Sequence, residues 1–189
     1  MASELRVDKI VPTTGVPTGG GGGIIQITQS VFTGTASQSG GLAAPLNFEG
    51  TSDLVCTMTP KFSTSKILVQ MSLVASLSVT TNILLFRIRR KIGGASFSDL
   101  DAALGDAAAS RYRCTSVSTN VGNAYTLFPT PMTFLDSPNT GSAVSYSFSI
   151  AHDSGSTRTI YINRGDNDTS SYAYVPRTIS TITLMEVSA

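Results

Sequence analysis

The sequence predicts an all-β fold, an antiparallel β-sandwich of jelly-roll type, preceded by an extended N-terminal arm and a glycine hinge. Apolar side chains recur with a period of two along several segments, turn-forming clusters separate those segments, and helix signals are nearly absent. In KILVQMSLVASLSV (66–79) the odd positions Ile67, Val69, Met71, Leu73, Ala75, Leu77 and Val79 are all apolar. In AVSYSFSIA, Val144, Tyr146, Phe148 and Ile150 alternate with Ser145, Ser147 and Ser149, the pattern of a strand with one face in the core and one in water. NILLFRIRRK puts Leu84, Phe86 and Ile88 on one face, and IIQITQSVF (24–32), TRTIYINR (157–164) and TISTITLMEV (178–187) complete the set.

Turns fall where glycine, proline, asparagine and serine cluster: SGG at 39–41, IGG at 92–94, SPNTG at 137–141 and DSGS at 153–156. About eight to ten strands so joined suit a jelly roll. Only SDLDAALGDAAAS (98–110) carries a helical signal, a Ser/Asp start before alanines, and either a short helix or an ordered loop fits it. No repeat of fixed period occurs, which disfavours solenoids and propellers. The strand reading gives one domain over 24–189, a hinge over 19–23 and an N-terminal arm over 1–18.

The arm and hinge meet in VPTTGVPTGGGGGIIQI (11–27). Pro12 and Pro17 favour an extended chain, and Gly19, Gly20, Gly21, Gly22 and Gly23 form a joint that bends at little steric cost. These glycines make no phosphate cradle, because Ile24, Ile25, Gln26 and Ile27 follow them with no lysine and no helix. Leu5, Val7 and Ile10 are spaced so that all three can share one side of the arm, where they would supply the apolar contacts of a docking segment.

Charged residues are only 13% of the chain and the formal net charge is +1, so composition gives no argument for a nucleic-acid partner or an anionic membrane. The opening MASELRVDK lacks the apolar core of a signal peptide, and the longest apolar stretch (67–79) is too short to span a bilayer. The expectation is a soluble protein made in the cytoplasm, with no export signal and no membrane insertion. Two cysteines, Cys56 and Cys114, read as buried free thiols rather than a disulfide framework.

Catalysis has few candidates. His152 is the only histidine, and its neighbours Asp153 and Ser154 point to alternate faces of an extended chain, so they form no triad among themselves. It reads as a surface histidine in a turn. No GxSxG or HExxH motif occurs. RGDNDT (164–169) spells Arg164-Gly165-Asp166, an integrin-type tripeptide, and offers Asp166, Asn167 and Asp168 as oxygen ligands, but without the rest of a calcium loop it reads as an Asx-rich turn. Asp99, Asp101 and Asp106 read the same way. FRIRRK (86–91) is the one basic cluster, and Arg87, Arg89, Arg90 and Lys91 read as an inter-subunit ion pair or a solvated strand end. The chain is expected to be no enzyme and to need no metal or cofactor.

SELRVDKIVPTTGVPTGGGGGIIQI resembles the opening of many virion proteins of marine tailed bacteriophages, of the tail-fibre-like kind. FLDSPNT (134–140), YINR (161–164) and STITLMEV (180–187) are similar to the C-terminal half of the same proteins. The domain is more distantly similar to the TNF/C1q-like jelly rolls, whose members are trimers. The resemblance implies a homotrimeric virion appendage, assembled in the host cytoplasm, in which residues 1–18 dock to another virion structural protein. It also implies a tail-fibre or spike role, with loops exposed for adhesion to a host-surface glycan or protein. A capsid decoration or head-fibre protein on the phage shell is the alternative, and a polysaccharide depolymerase, which needs paired carboxylates in a groove, is the third reading. Ile182 and Leu184 of the terminal strand are the trimer contacts expected under the resemblance.

Overall fold

A computed structural model describes residues 23–79, 82–120 and 125–188. It contains twelve strands among the described residues: β1 (Ile24–Phe32), β2 (Ala36–Gly40), β3 (Leu46–Asn47), β4 (Cys56–Met58), β5 (Lys66–Leu77), β6 (Asn82–Ile92), β7 (Ser98–Asp99), β8 (Ser116–Asn120), β9 (Phe128–Asp136), β10 (Val144–His152), β11 (Arg158–Ile162) and β12 (Ser180–Val187). The alanine-rich segment supplies only a single 3-10 turn, Asp101–Ala103.

The pairing is that of a long hairpin rolled up on itself. β1 pairs with β12, β3 and β4 with β10, β5 with β9, and β7 and β8 with β6, all antiparallel. Rolling then brings β12 beside β5 and β10 beside β6. One sheet therefore runs β1-β12-β5-β9, with β11 and β2 extending it beside the end of β5; the other runs β3/β4-β10-β6-β7/β8. Nested pairing rolled into two facing sheets is the jelly roll the sequence predicts.

Period-two patterning sorts the side chains. Ile67, Val69, Met71, Leu73, Ala75 and Leu77 of β5 face Leu84, Phe86 and Ile88 of β6 and Val144, Tyr146, Phe148 and Ile150 of β10 across a common core. Phe48 stacks on Phe148, with ring centroids 5.4 Å apart. The half-exposed reading of β10 needs correction, since all nine of its residues are buried. Hydrogen bonds accompany two of its three serines into the interior: Ser147 donates to the Leu54 carbonyl at 2.8 Å, and Ser145 pairs with the Thr57 hydroxyl at 2.7 Å.

Polar ties close the sandwich at both ends. Asp136, at the end of β9, accepts the Tyr146 hydroxyl at 2.6 Å and is clamped by Arg90, whose Nη1 lies 2.9 and 2.7 Å from its two oxygens. The buried carboxylate of Glu186 accepts the backbone N–H groups of Lys61 and Phe62 and the Gln26 amide, fixing the 59–62 turn. At the opposite end His152 Nε2 pairs with the Gly40 carbonyl of the facing sheet at 2.9 Å.

Burial, then the adjacent Asp136 carboxylate, push the Tyr146 phenol far above its ordinary value of 10.0. The folded state therefore keeps a proton that the unfolded chain releases above pH 10, so the stabilisation is intact below that pH and is lost above it. Urea unfolding should show stability falling above about pH 10, with this tyrosine contributing up to about 1.4 kcal/mol per pH unit, and Tyr146→Phe should flatten the slope. An unchanged slope in the variant would count against the assignment.

Candidate self-association face and polar clusters

The two sheets treat their outward faces differently. On the β10 sheet the outward side chains of β6 include Arg87, Arg89 and Lys91, which are held by the chain itself, whereas Ile83 near the start of that strand and Val117 of β8 stay exposed. Arg87 pairs with Asp99 at 2.6 Å, donates to the Arg113 carbonyl and lies 3.9 Å over the Tyr112 ring. Arg89 bridges Glu49 and Asp99, and Lys91 sits over Phe97. Arg90 points inward to Asp136. The FRIRRK cluster is thus neither a solvated strand end nor a source of unpaired arginines for a neighbouring subunit, because carboxylates distant in sequence neutralise it.

Among the described residues, nothing comparable covers the outward face of the β5 sheet over β1, β12, β5 and β9. Its register produces rows of side chains running across the strands. Ile27, Met185, Leu68 and Leu135 stand opposite one another in turn, giving a continuous apolar row four strands wide. The next row is Gln29, Thr183, Gln70 and Thr133, polar but uncharged, with Gln29 donating to the Thr183 hydroxyl at 2.8 Å. Val31, Thr181, Ser72 and Pro131 follow, and Ile24, Val187 and Lys66 border the face on the other side. Lys66 is the only charge in these four rows. Ile27 is 59% exposed and Leu135 46%, high for large apolar side chains on a regular sheet.

Ile182 and Leu184 do not belong to this face. They are 1% and 0% exposed and sit in the chain's own core, which leaves no surface to offer a partner. The alternation of β12 turns Thr181, Thr183, Met185 and Val187 outward instead. Leu5, Val7, Ile10, Pro12, Pro17, Gly19, Gly20, Gly21 and Gly22 lie outside the described residues. Gly23 is described: it is exposed, and its carbonyl accepts the Ser188 N–H at 3.1 Å, so the hinge joins the domain beside the end of β12.

The other candidates resolve individually. His152 is fully buried rather than on the surface; its Nε2 donates to Gly40 while Nδ1 accepts the Ser154 N–H at 3.2 Å, so both ring nitrogens are engaged. Cys56 and Cys114 are free thiols, pushed up by burial, with Cys56 buried and Cys114 half-buried. Arg164 lies 3.9 Å over the Tyr161 ring and Gly165 is buried, so the Arg-Gly-Asp tripeptide does not project as a tip. Asn167 Oδ1 accepts the Thr169 N–H, an Asx turn, and Asp168 pairs with Arg177 at 2.6 Å. Asp99 is held by arginines and Asp101 lies 3.5 Å from Arg113; among the described residues no group of three potential metal ligands converges.

No family model matches the chain, and none of the curated proteins does. Among solved structures it is similar to a chain in a structure of the Gx strain of infectious bursal disease virus, at 13% identity and a TM-score of 0.40. That match covers 93% of this chain and 42% of the other, so the chain spans less than half the length of the one it matches.

Because Ile182 packs inward, Ile182→Ala should lower unfolding free energy by about 2–5 kcal/mol through loss of burial and the cavity left behind. The association state of molecules that remain folded should not change. A change in association at unaltered stability, seen by denaturation and sedimentation together, would return this residue to the interface.

Proposed function

We propose that this chain is a non-enzymatic virion structural subunit, a homotrimer that self-associates through the outward face of its β1-β12-β5-β9 sheet. The observation that supports this reading most directly is the four-strand row Ile27, Met185, Leu68 and Leu135 on a face whose four rows include only one charge, Lys66. A flat, nearly uncharged β-face needs no complementary field in its partner, so a copy of itself satisfies it, and closure about a threefold axis keeps such faces from propagating into a filament. The chain's resemblance to tail-fibre-like proteins and to trimeric jelly rolls supports the same stoichiometry.

In this reading residues 1–18 dock to another virion protein, and the glycines after them absorb the change of direction between anchor and domain. β1 leaves the hinge at the end of the sandwich that also carries the end of β12 and the start of β5. The turns after β5, β10 and β11 and the segment before β9 gather at the opposite end. Loops held away from the anchor in this way suit adhesion to a host surface, the tail-fibre or spike role. The same trimer seated on the shell would be a decoration protein, and imaging of the intact particle distinguishes the two by which protein the arm grips.

The full-length protein should sediment at three times the 19.7 kDa chain mass. Ile27→Lys combined with Met185→Lys should convert it to a folded monomer, since both side chains point away from the core. A wild-type monomer, or a double variant that still sediments as a trimer, would move or remove the interface. Deleting residues 1–18 should leave the trimer intact while abolishing its incorporation into particles; loss of folding would mean that the arm belongs to the domain.

A further inference from the structure

At the end of the sandwich away from the hinge, the segment between β11 and β12 carries an aromatic group distinct from both surfaces above. Tyr172 stacks on Tyr174, with centroids 5.0 Å apart and planes 14° apart, and Tyr125, from the segment before β9, meets Tyr174 edge-on at 5.2 Å. Tyr172 is 49% and Tyr174 60% exposed. Rings that pack only to close a loop bury their faces, whereas these stack on each other and still present about half their surface to water.

The loop that carries them is fixed at its base. Asn163 is buried with a backbone φ of 62°, a left-handed conformation that asparagine tolerates better than most residues. Its Nδ2 donates to the carbonyls of Phe32 and Gly34, and its Oδ1 accepts the Ser180 hydroxyl. Farther out, Asp168 pairs with Arg177, and the Asn167 amide donates to the Tyr125 hydroxyl at 3.3 Å. The platform is therefore held before any ligand arrives, which lowers the entropy cost of binding.

Beside Tyr172 lies a cleft of about 320 Å³, rimmed by Asp168, Thr169, Ser170 and Arg177. An open aromatic face bordered by carboxylate, hydroxyl and guanidinium groups suits a pyranose. The axial C–H groups of one sugar face carry slight positive charge and rest on the negative ring face, while its equatorial hydroxyls meet the polar rim. The charges at this end are matched, with Arg177 and Arg164 both against Asp168 and a second carboxylate, Asp166, close by in sequence. A matched rim favours an uncharged sugar over a uronic or sialic acid, whose carboxylate would find Arg177 already occupied.

We infer that Tyr172, with Tyr174 behind it and the Asp168–Arg177 rim beside it, forms a binding site for neutral hexopyranose units of a surface glycan. This deepens the adhesion reading proposed above and rests on it for biological purpose, though binding itself can be measured without it. Saturation-transfer NMR on the full-length protein, with methyl glucosides, galactosides and mannosides of both anomeric forms as probes, tests it. At least one neutral hexoside should show transfer strongest on the protons of one ring face, with glucuronic acid weaker. Tyr172→Ala should weaken that binding at least tenfold, while Tyr172→Phe, which keeps the ring, should retain it. No transfer from any neutral hexoside, transfer unaffected by Tyr172→Ala, or stronger transfer from the acid would overturn the site. If the hexoside binds as expected while particles carrying Tyr172→Ala adsorb normally to host cells, the site stands and the adhesion reading falls.

Discussion

An antiparallel strand sends alternate side chains to opposite faces, so a two-sheet sandwich must deal with two outward faces as well as one core. The rest of this structure follows from how unequally the two are treated. Over β10 and the Arg87–Lys91 half of β6 the face is closed by the chain itself: the segment after β3 brings Glu49 and the Leu54 carbonyl, and the connection through β7 brings Asp99, Arg113 and Tyr112. The face over β5 and β12 receives nothing comparable from the described residues along its first four rows. The near absence of charge in those rows is what the proposal of a second copy as partner rests on.

Direction matters as much as surface. The hinge and the end of β12 share one end of the sandwich, tied by the Gly23–Ser188 hydrogen bond, while the segments around Tyr125 and Tyr172 share the other. The start of β1, the bare face and the distal loops thus occupy three separate parts of the domain. Asn163 connects two of them: it ties the β1–β2 turn to Ser180 at the start of β12, so the loop that carries the tyrosines springs from the same strand that contributes to the flat face.

Strands were legible wherever a core-facing alternation was uninterrupted. IIQITQSVF coincides with β1, and the odd positions of β5 from Ile67 to Leu77 enter the core as their spacing requires. What failed was local reading of groups whose partners are remote. Ser147 looks solvent-facing until Leu54 arrives over it, and Arg87 and Arg89 look free until Asp99 and Glu49 fold back. His152 looks like a turn residue until Gly40 of the opposite sheet meets it. The apolar row of the bare face was hidden for a related reason: Ile27, Leu68, Leu135 and Met185 come from four strands, and only their mutual register aligns them. Choosing Ile182 and Leu184 followed the stronger apolar phase of β12, which is the phase that belongs to the core. The residues proposed for docking, from Leu5 to Pro17, lie outside the described residues and stay a proposal.

The central claim is that the face carrying Ile27 and Met185 is covered in the assembled protein. Hydroxyl-radical footprinting of the full-length chain, read by mass spectrometry across a dilution series, measures that cover side chain by side chain. Ile27, Leu135 and Met185 should be protected at concentrations where the protein is associated and become labelled as it dissociates, while the exposed Val117 on the other sheet stays labelled throughout. Equal labelling of Met185 and Leu135 at all concentrations, or protection of Val117 in their place, would contradict the account.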